Sequence, residues 1–241
     1  MANAEINIIL WIVLSILFLA GLAGGYRQLL HFGNLTKNKV LSALTFIVVV
    51  ITAVNIAHWL QWITTERAAQ FTMGLFIVFA GFFFGSGIKI MRKRNDAGRI
   101  EYKYRSFSTD ILPSLIAVAI VAFGIYRTSL LTGHLLTGVR VTSGLSLIMF
   151  GFYGWTLNVV PEFRFGGIIL LDRFIPWSNV IAYEWRTEET LTIDYQLKNE
   201  KISDFTTSIP PDDQLAVERL LNRMIEEHKP DAELDLPVKE S

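Results

Sequence analysis

A chain of 241 residues, 51% apolar and only 18% charged, is poorer in charge than a soluble domain, where about a quarter of residues are Asp, Glu, Lys or Arg. It has no cysteine, which excludes disulfides, thiolate nucleophiles, Cys-ligated zinc and iron–sulfur clusters. Its formal net charge of zero hides a split. Up to Val159 thirteen basic residues face five acids, a balance of +8, and from Val160 nine face seventeen, a balance of −8. Such asymmetry between halves marks an organisational boundary.

Five apolar runs precede that boundary, at residues 6–23, 40–62, 68–87, 111–131 and 141–160. A hydrocarbon core roughly 30 Å thick needs about 20 apolar residues in a helix, so these runs predict a membrane domain over 1–160 with about five transmembrane helices. The first ends in small residues, Ala20-Gly21-Leu22-Ala23, but the segment before it has Glu5 and no basic residue. It reads as a retained helix rather than a cleaved signal peptide. The fourth reaches 131 by continuing through Leu130 and Leu131, with Arg127 snorkelling to the interface.

Basic residues in the connections set the orientation. The first and third carry ten Lys and Arg, the second and fourth three. By the positive-inside rule the N-terminus lies outside, and the odd connections and the C-terminal domain lie in the cytoplasm. Trp59, Trp62 and Trp155 fall near span ends, where aromatic rings favour the headgroup level.

No Asp, Glu, Lys or Arg sits in the middle of a run, which argues against a proton- or ion-coupled transporter. The polar residues Asn55, His58, Gln70 and Asn158 lie towards run ends. His58 and His134, both towards the outer face, are the pair that a bis-histidine haem would need. His134 sits in a connecting segment, however, and the expectation is an interfacial histidine with no cofactor and no metal. Gly21-x-x-x-Gly25 and Gly81-x-x-x-Gly85 allow close helix approach, within the chain or in a homo-oligomer, and both stay open. Residues 130–138, an uncharged near-repeat, are expected to extend the fourth helix or lie in the interface.

From residue 161 the pattern turns to short alternating segments. Residues 163–171, broken by Gly166-Gly167, then 180–186, 191–197 and 201–208 read as strands. Pro210-Pro211 opens a helix with Asp212 and Asp213 in its first turn. Val217, Leu220, Leu221, Met224 and Ile225 form its apolar stripe. The fold class is thus an α-helical membrane protein with a small α+β C-terminal domain, 161–228, made of a short antiparallel sheet and one helix. A polar tail, 229–241, is expected to be disordered.

Gly166-Gly167-Ile168, Phe174-Ile175-Pro176-Trp177, Val180, Tyr183-Glu184-Trp185, a Thr-Leu-Thr-Ile strand and a terminal helix resemble the pleckstrin-homology-like (PH-like) domain of uncharacterised bacterial multi-pass membrane proteins. The resemblance covers about a quarter of the chain. It implies a fold, seven-stranded when complete, and a bacterial cytoplasmic (inner) membrane, but no activity. Trp177 and Trp185 are expected to pack the core of this domain.

Phosphate-cradling loops, nucleophile elbows and His-Glu-x-x-His helices are absent, and the carboxylate neighbours Glu188-Glu189 and Asp212-Asp213 have no paired histidine. The chain reads as no enzyme. The basic cluster Lys89, Arg92, Lys93, Arg94, Arg99, Lys103 and Arg105 reads as a cytoplasmic loop, balance +5, and not as a nucleic-acid site. The acidic domain is expected to dock electrostatically on that loop rather than on an anionic leaflet. Two functions remain: an interaction or assembly factor whose domain contacts a protein partner on the cytoplasmic face, or a passive channel or small-solute facilitator. The lipid bilayer is the partner common to both.

Overall fold

The protein is described by a computed structural model that covers residues 2–28, 45, 49–50, 52–54, 56–131, 137–157, 160–197 and 201–228. It divides into two compact units, Met1–Arg92 with Ser106–Leu157, and Lys93–Arg105 with Asn158–Ser241.

The first unit is helical. Its helices are α1 (Ala2–Tyr26), α2 (Thr65–Asp96, whose last four residues count with the second unit), α3 (Leu112–Arg127, entered by a π-helical turn at Phe107–Ile111) and α4 (Gly138–Thr156). Three segments, Ile8–Tyr26, Thr65–Asp96 and Phe107–Arg127, are long and apolar enough to cross a bilayer. Of the predicted run 40–62, residues 45, 49–50, 52–54 and 56–59 are helical, and 40–44, 46–48, 51 and 55 lie outside the described residues.

Two predicted boundaries need correction. The fourth span does not continue to 131. The Thr128 amide closes α3 onto Gly124 O, and Ser129 turns to φ +62°, a left-handed conformation that ends a helix. The fifth run is helical only to Thr156, because the backbone turns extended at Leu157 (φ −80°, ψ 134°). Thr137 caps the start of α4 by accepting from the Arg140 amide. Of the segment 130–138, residues 132–136 lie outside the described residues.

Small residues decide how the helices pack. A methyl group on Gly21 would overlap the Val78 carbonyl, on Gly25 that of Phe82, on Gly81 that of Phe18 and on Gly85 that of Leu22. Both Gly-x-x-x-Gly pairs are therefore engaged between α1 and α2 of one chain. Gly124 and Gly144 do the same between α3 and α4.

The second unit is α+β. An antiparallel sheet of four strands runs in the order β1 (Ile100–Lys103), β2 (Glu162–Arg164), β3 (Gly167–Leu170) and β4 (Arg173–Pro176). A second antiparallel sheet has β5 (Val180–Thr187), β6 (Thr190–Gln196) and β7 (Ile202–Ser208). A 3-10 turn at Pro211–Asp213 leads into helix α5 (Gln214–His228). The predicted strand 163–171 is in fact a hairpin, β2 and β3, turned at Phe165-Gly166. Phe163, Ile168, Ile175, Leu191, Ile193 and Tyr195 meet Val217, Leu221 and Met224 of α5 in one core. The predicted tail 229–241 lies outside the described residues.

Candidate interaction surfaces

The basic segment is not a loop. Helix α2 runs through Lys89, Arg92, Lys93 and Arg94, with the last two in its final turn, where cations suit the helix dipole. Gly98, at φ +76°, then breaks the helix, and Ile100–Lys103 pairs as β1 with β2. Sequence reasoning missed this strand, although Gly98 followed by the β-rich Ile100-Glu101-Tyr102-Lys103-Tyr104 was a usable signal. The contact expected to be electrostatic docking is a backbone ladder, with ion pairs inside it.

Those ion pairs centre on Glu162, which is 3% exposed. Arg164 donates to it from Nε at 2.9 Å and from Nη2 at 2.8 Å. Lys103 lies 3.4 Å away, opposite it in the β1–β2 register, and Arg94 lies at 3.8 Å. Burial alone would raise the carboxyl pKa, but the Arg164 hydrogen bonds and the charges of Arg94, Arg164 and Lys103 outweigh it and hold the pKa below the usual value. Arg164 Nη1 also donates to the carbonyls of Arg94 and Gly98 at the end of α2. Helix end, β1 and β2 are thus fastened at one point.

The other basic residues have separate places. Lys89 sits over the Tyr26 ring at 4.9 Å, and Arg92 donates to the Tyr26 hydroxyl at 2.8 Å. Lys93 donates to the Asp172 carbonyl at 2.8 Å. Arg99 pairs with Glu101 and lies over the Phe165 ring, and Arg105 is exposed. Strand β1 also meets α5 through its 3-10 approach. The Tyr102 hydroxyl donates to Asp213 at 2.9 Å, and burial together with that carboxylate pushes the phenol pKa up.

The two tryptophans differ. Trp177 is 1% exposed, stacks on Phe163 and donates its indole N–H to the Arg164 carbonyl at 2.9 Å. Trp185 is half-buried at the edge of the core, and its indole nitrogen is buried with no acceptor among the described residues. His58 is exposed, with Nδ1 3.5 Å from the Ile63 carbonyl, and His134 lies outside the described residues. No histidine pair is brought together among the described residues.

One surface was not anticipated. Strand β5 is an edge strand: β6 pairs with one side, and no described strand pairs with the other. Alongside it runs an open groove of about 490 Å³ lined by Ile181, Ala182 and Tyr183 of β5 and Asn222, Ile225 and Glu226 of α5. The Tyr183 hydroxyl donates to Asn222 Oδ1 at 2.6 Å across it. Burial, then the nearby Glu218 carboxylate, raise the Tyr183 pKa against the opposing effect of Asn222. A strand over 180–186 was legible in the sequence, but the open edge was not.

Residues 161–226 match a family described as a domain of unknown function (DUF5673). No curated protein and no solved structure matches the chain. The C-terminal region, from just before β2 to near the end of α5, is what this family resembles; β1 lies outside the match.

Proposed function

We propose that the chain is a membrane-anchored, non-enzymatic interaction or assembly protein, with a PH-like cytoplasmic domain that engages a protein partner. The observation that carries this reading is the edge of β5 that no described strand pairs, beside the β5–α5 groove with its apolar Ile181 and Ile225. The PH-like assignment is supported by a four-stranded and a three-stranded antiparallel sheet followed by a helix, with β1 as the seventh strand. On this reading the domain is discontinuous, and the segment 104–161 is inserted between two neighbouring strands.

That insertion bears on topology. Strands that share backbone hydrogen bonds lie on one side of a bilayer, so the chain between β1 and β2 crosses it an even number of times. If Phe107–Arg127 spans, α4 spans in return. This supports both the fourth and fifth spans, although α4 is weakened in hydropathy by Thr142, Ser143 and Ser146. The hydroxyls of Thr142 and Ser143 bond back to the Gly138 and Arg140 carbonyls of their own helix, which favours the interaction reading over a facilitator lined by them. Five spans, with the basic segment and domain in the cytoplasm and the N-terminus outside, remain the topology of choice.

Gentle detergent pull-down of the full chain should recover a stoichiometric partner, and proteoliposomes should show no solute flux above protein-free vesicles. Selective flux with no partner would transfer the function to the helices. A reporter fused after Ser241 should behave as cytoplasmic, and one with periplasmic activity would sink the topology.

A further inference from the structure

The groove beside β5 is specific in three respects. One wall belongs to β5, whose edge away from β6 has no strand partner among the described residues; an extended polypeptide can add its backbone donors and acceptors to such an edge. Its floor is apolar where Ile181 and Ile225 meet it, with Ile181 50% exposed. Its rim is acidic. Glu226 lines the groove, Glu218 acts on Tyr183, and Glu184 stands exposed on β5 two residues from Ala182. Against these, β5 carries one cation, Arg186, while Arg223 on α5 is paired with Glu101.

The ladder of β5 on β6 is regular from Ala182 to Trp185, with a register shift on either side. Residues 180–187 contain neither the Lys nor the Pro that blunts many edge strands. The Tyr183–Asn222 bond bridges strand and helix at the groove.

We infer that this groove takes an extended, basic segment of a partner protein, which adds to the second sheet as a strand beside β5 and places alternate apolar side chains between β5 and α5. The inference rests on the interaction reading above and names the partner's chemistry. Opposite charge at the rim contributes mainly to approach and selectivity, and strand pairing to residence. The acidic tail of this chain, 229–241, is disfavoured as occupant by the same rim: it carries Asp231, Glu233, Asp235 and Glu240 against Lys229 and Lys239.

The test uses the full chain in nanodiscs and three defined peptides: acetyl-Lys-Val-Lys-Ile-Lys-Val-Lys-amide, its counterpart with Glu for every Lys, and a version with Pro for the central Ile. Hydrogen exchange should slow in residues 181–186 with the first peptide alone, and Glu226→Lys with Glu184→Lys should weaken it at least tenfold and admit the Glu peptide. Both substitutions are at solvent-exposed or rim positions, and unchanged thermal unfolding would verify the fold. Binding of the basic and proline peptides alike would show charge attraction without strand addition and would overturn the proposal. So would protection of β5 that disappears when residues 229–241 are deleted, since the tail would then be the occupant. If pull-down recovers a partner whose binding ignores the double substitution, the interaction reading stands and this groove assignment fails. If no partner is found but the peptide binds as described, the groove stands and the search for a partner has failed.

Discussion

The two units of this chain are packed inside out relative to one another in chemical terms. In the helical unit Ile8, Trp11, Leu19, Leu115 and Phe123 point outward, while Gly81, Gly85, Ser86, Thr142 and Gly144 are buried. In the C-terminal unit Ile168, Trp177, Leu191, Ile193 and Leu221 are buried, and Glu184, Arg186 and Glu218 face out or partly out. The difference is one of solvent. Lipid tails are as apolar as leucine, so helices gain nothing by hiding leucines from them and associate through close backbone approach. Water rewards burial of large apolar area, at roughly 25 cal/mol per Å².

The comparison can be broken most severely by cutting the C-terminal unit at the family boundary. A fragment of residues 161–228 lacks β1, so β2 keeps β3 but loses its other ladder partner, and Glu162 keeps Arg164 but loses Lys103 and Arg94. It should show no cooperative unfolding transition, whereas 93–105 joined to 158–228 through a short flexible linker should. Cooperative melting of the short fragment at the same temperature would make β1 dispensable.

Within the linked unit, Trp177→Ala removes a stacked, fully buried ring and should cost roughly 3–5 kcal/mol in denaturant unfolding. A cost near zero would move Trp177 out of the core.

Glu162→Gln leaves three cations around a neutral amide. Breaking a buried pair costs on the order of 3–5 kcal/mol, and the partial exposure of Arg94 places this variant at or below the low end. The sign with pH follows from a native pKa held low. The stabilisation is complete above the unfolded carboxylate range and is lost as pH falls through the native value. The gap between wild type and variant should therefore close in acid, and a gap that widened there would refute the ion-pair account.

In the helical unit the effects should invert. Gly85→Leu drives a side chain into the Leu22 backbone and should destabilise by about 1–3 kcal/mol or more in detergent unfolding, while Leu19→Ala, which trims an exposed apolar side chain, should stay within about 0.5. Equal effects would mean that α1 is packed as in water.

The smallest change is expected at Trp185. Its indole N–H is buried without an acceptor among the described residues, so Trp185→Phe removes an unmet donor together with some area and should leave stability nearly unchanged or slightly raised. A loss above about 2 kcal/mol would reveal a bond that this N–H makes.

Much of this was legible in the residues alone. Long apolar runs set α1, α2 and α3, because a bilayer admits few alternatives. The stripe from Val217 to Met224 determined the inner face of α5, and the alternation in 180–186, 191–197 and 201–208 set β5, β6 and β7 to within about a residue. These patterns are local, carried by the period of one element. Membership of β1 was not local: its partner β2 lies some sixty positions away, beyond a helical hairpin, and only the pairing of Lys103 with Glu162 turns a basic connection into a strand. For the same reason composition could count the charges of Lys93, Arg94 and Lys103 but not say which were spent inside a fold. The open edge of β5 is likewise a property of the sheet, since a strand's sequence states its own period and not which of its two sides is left without a neighbour.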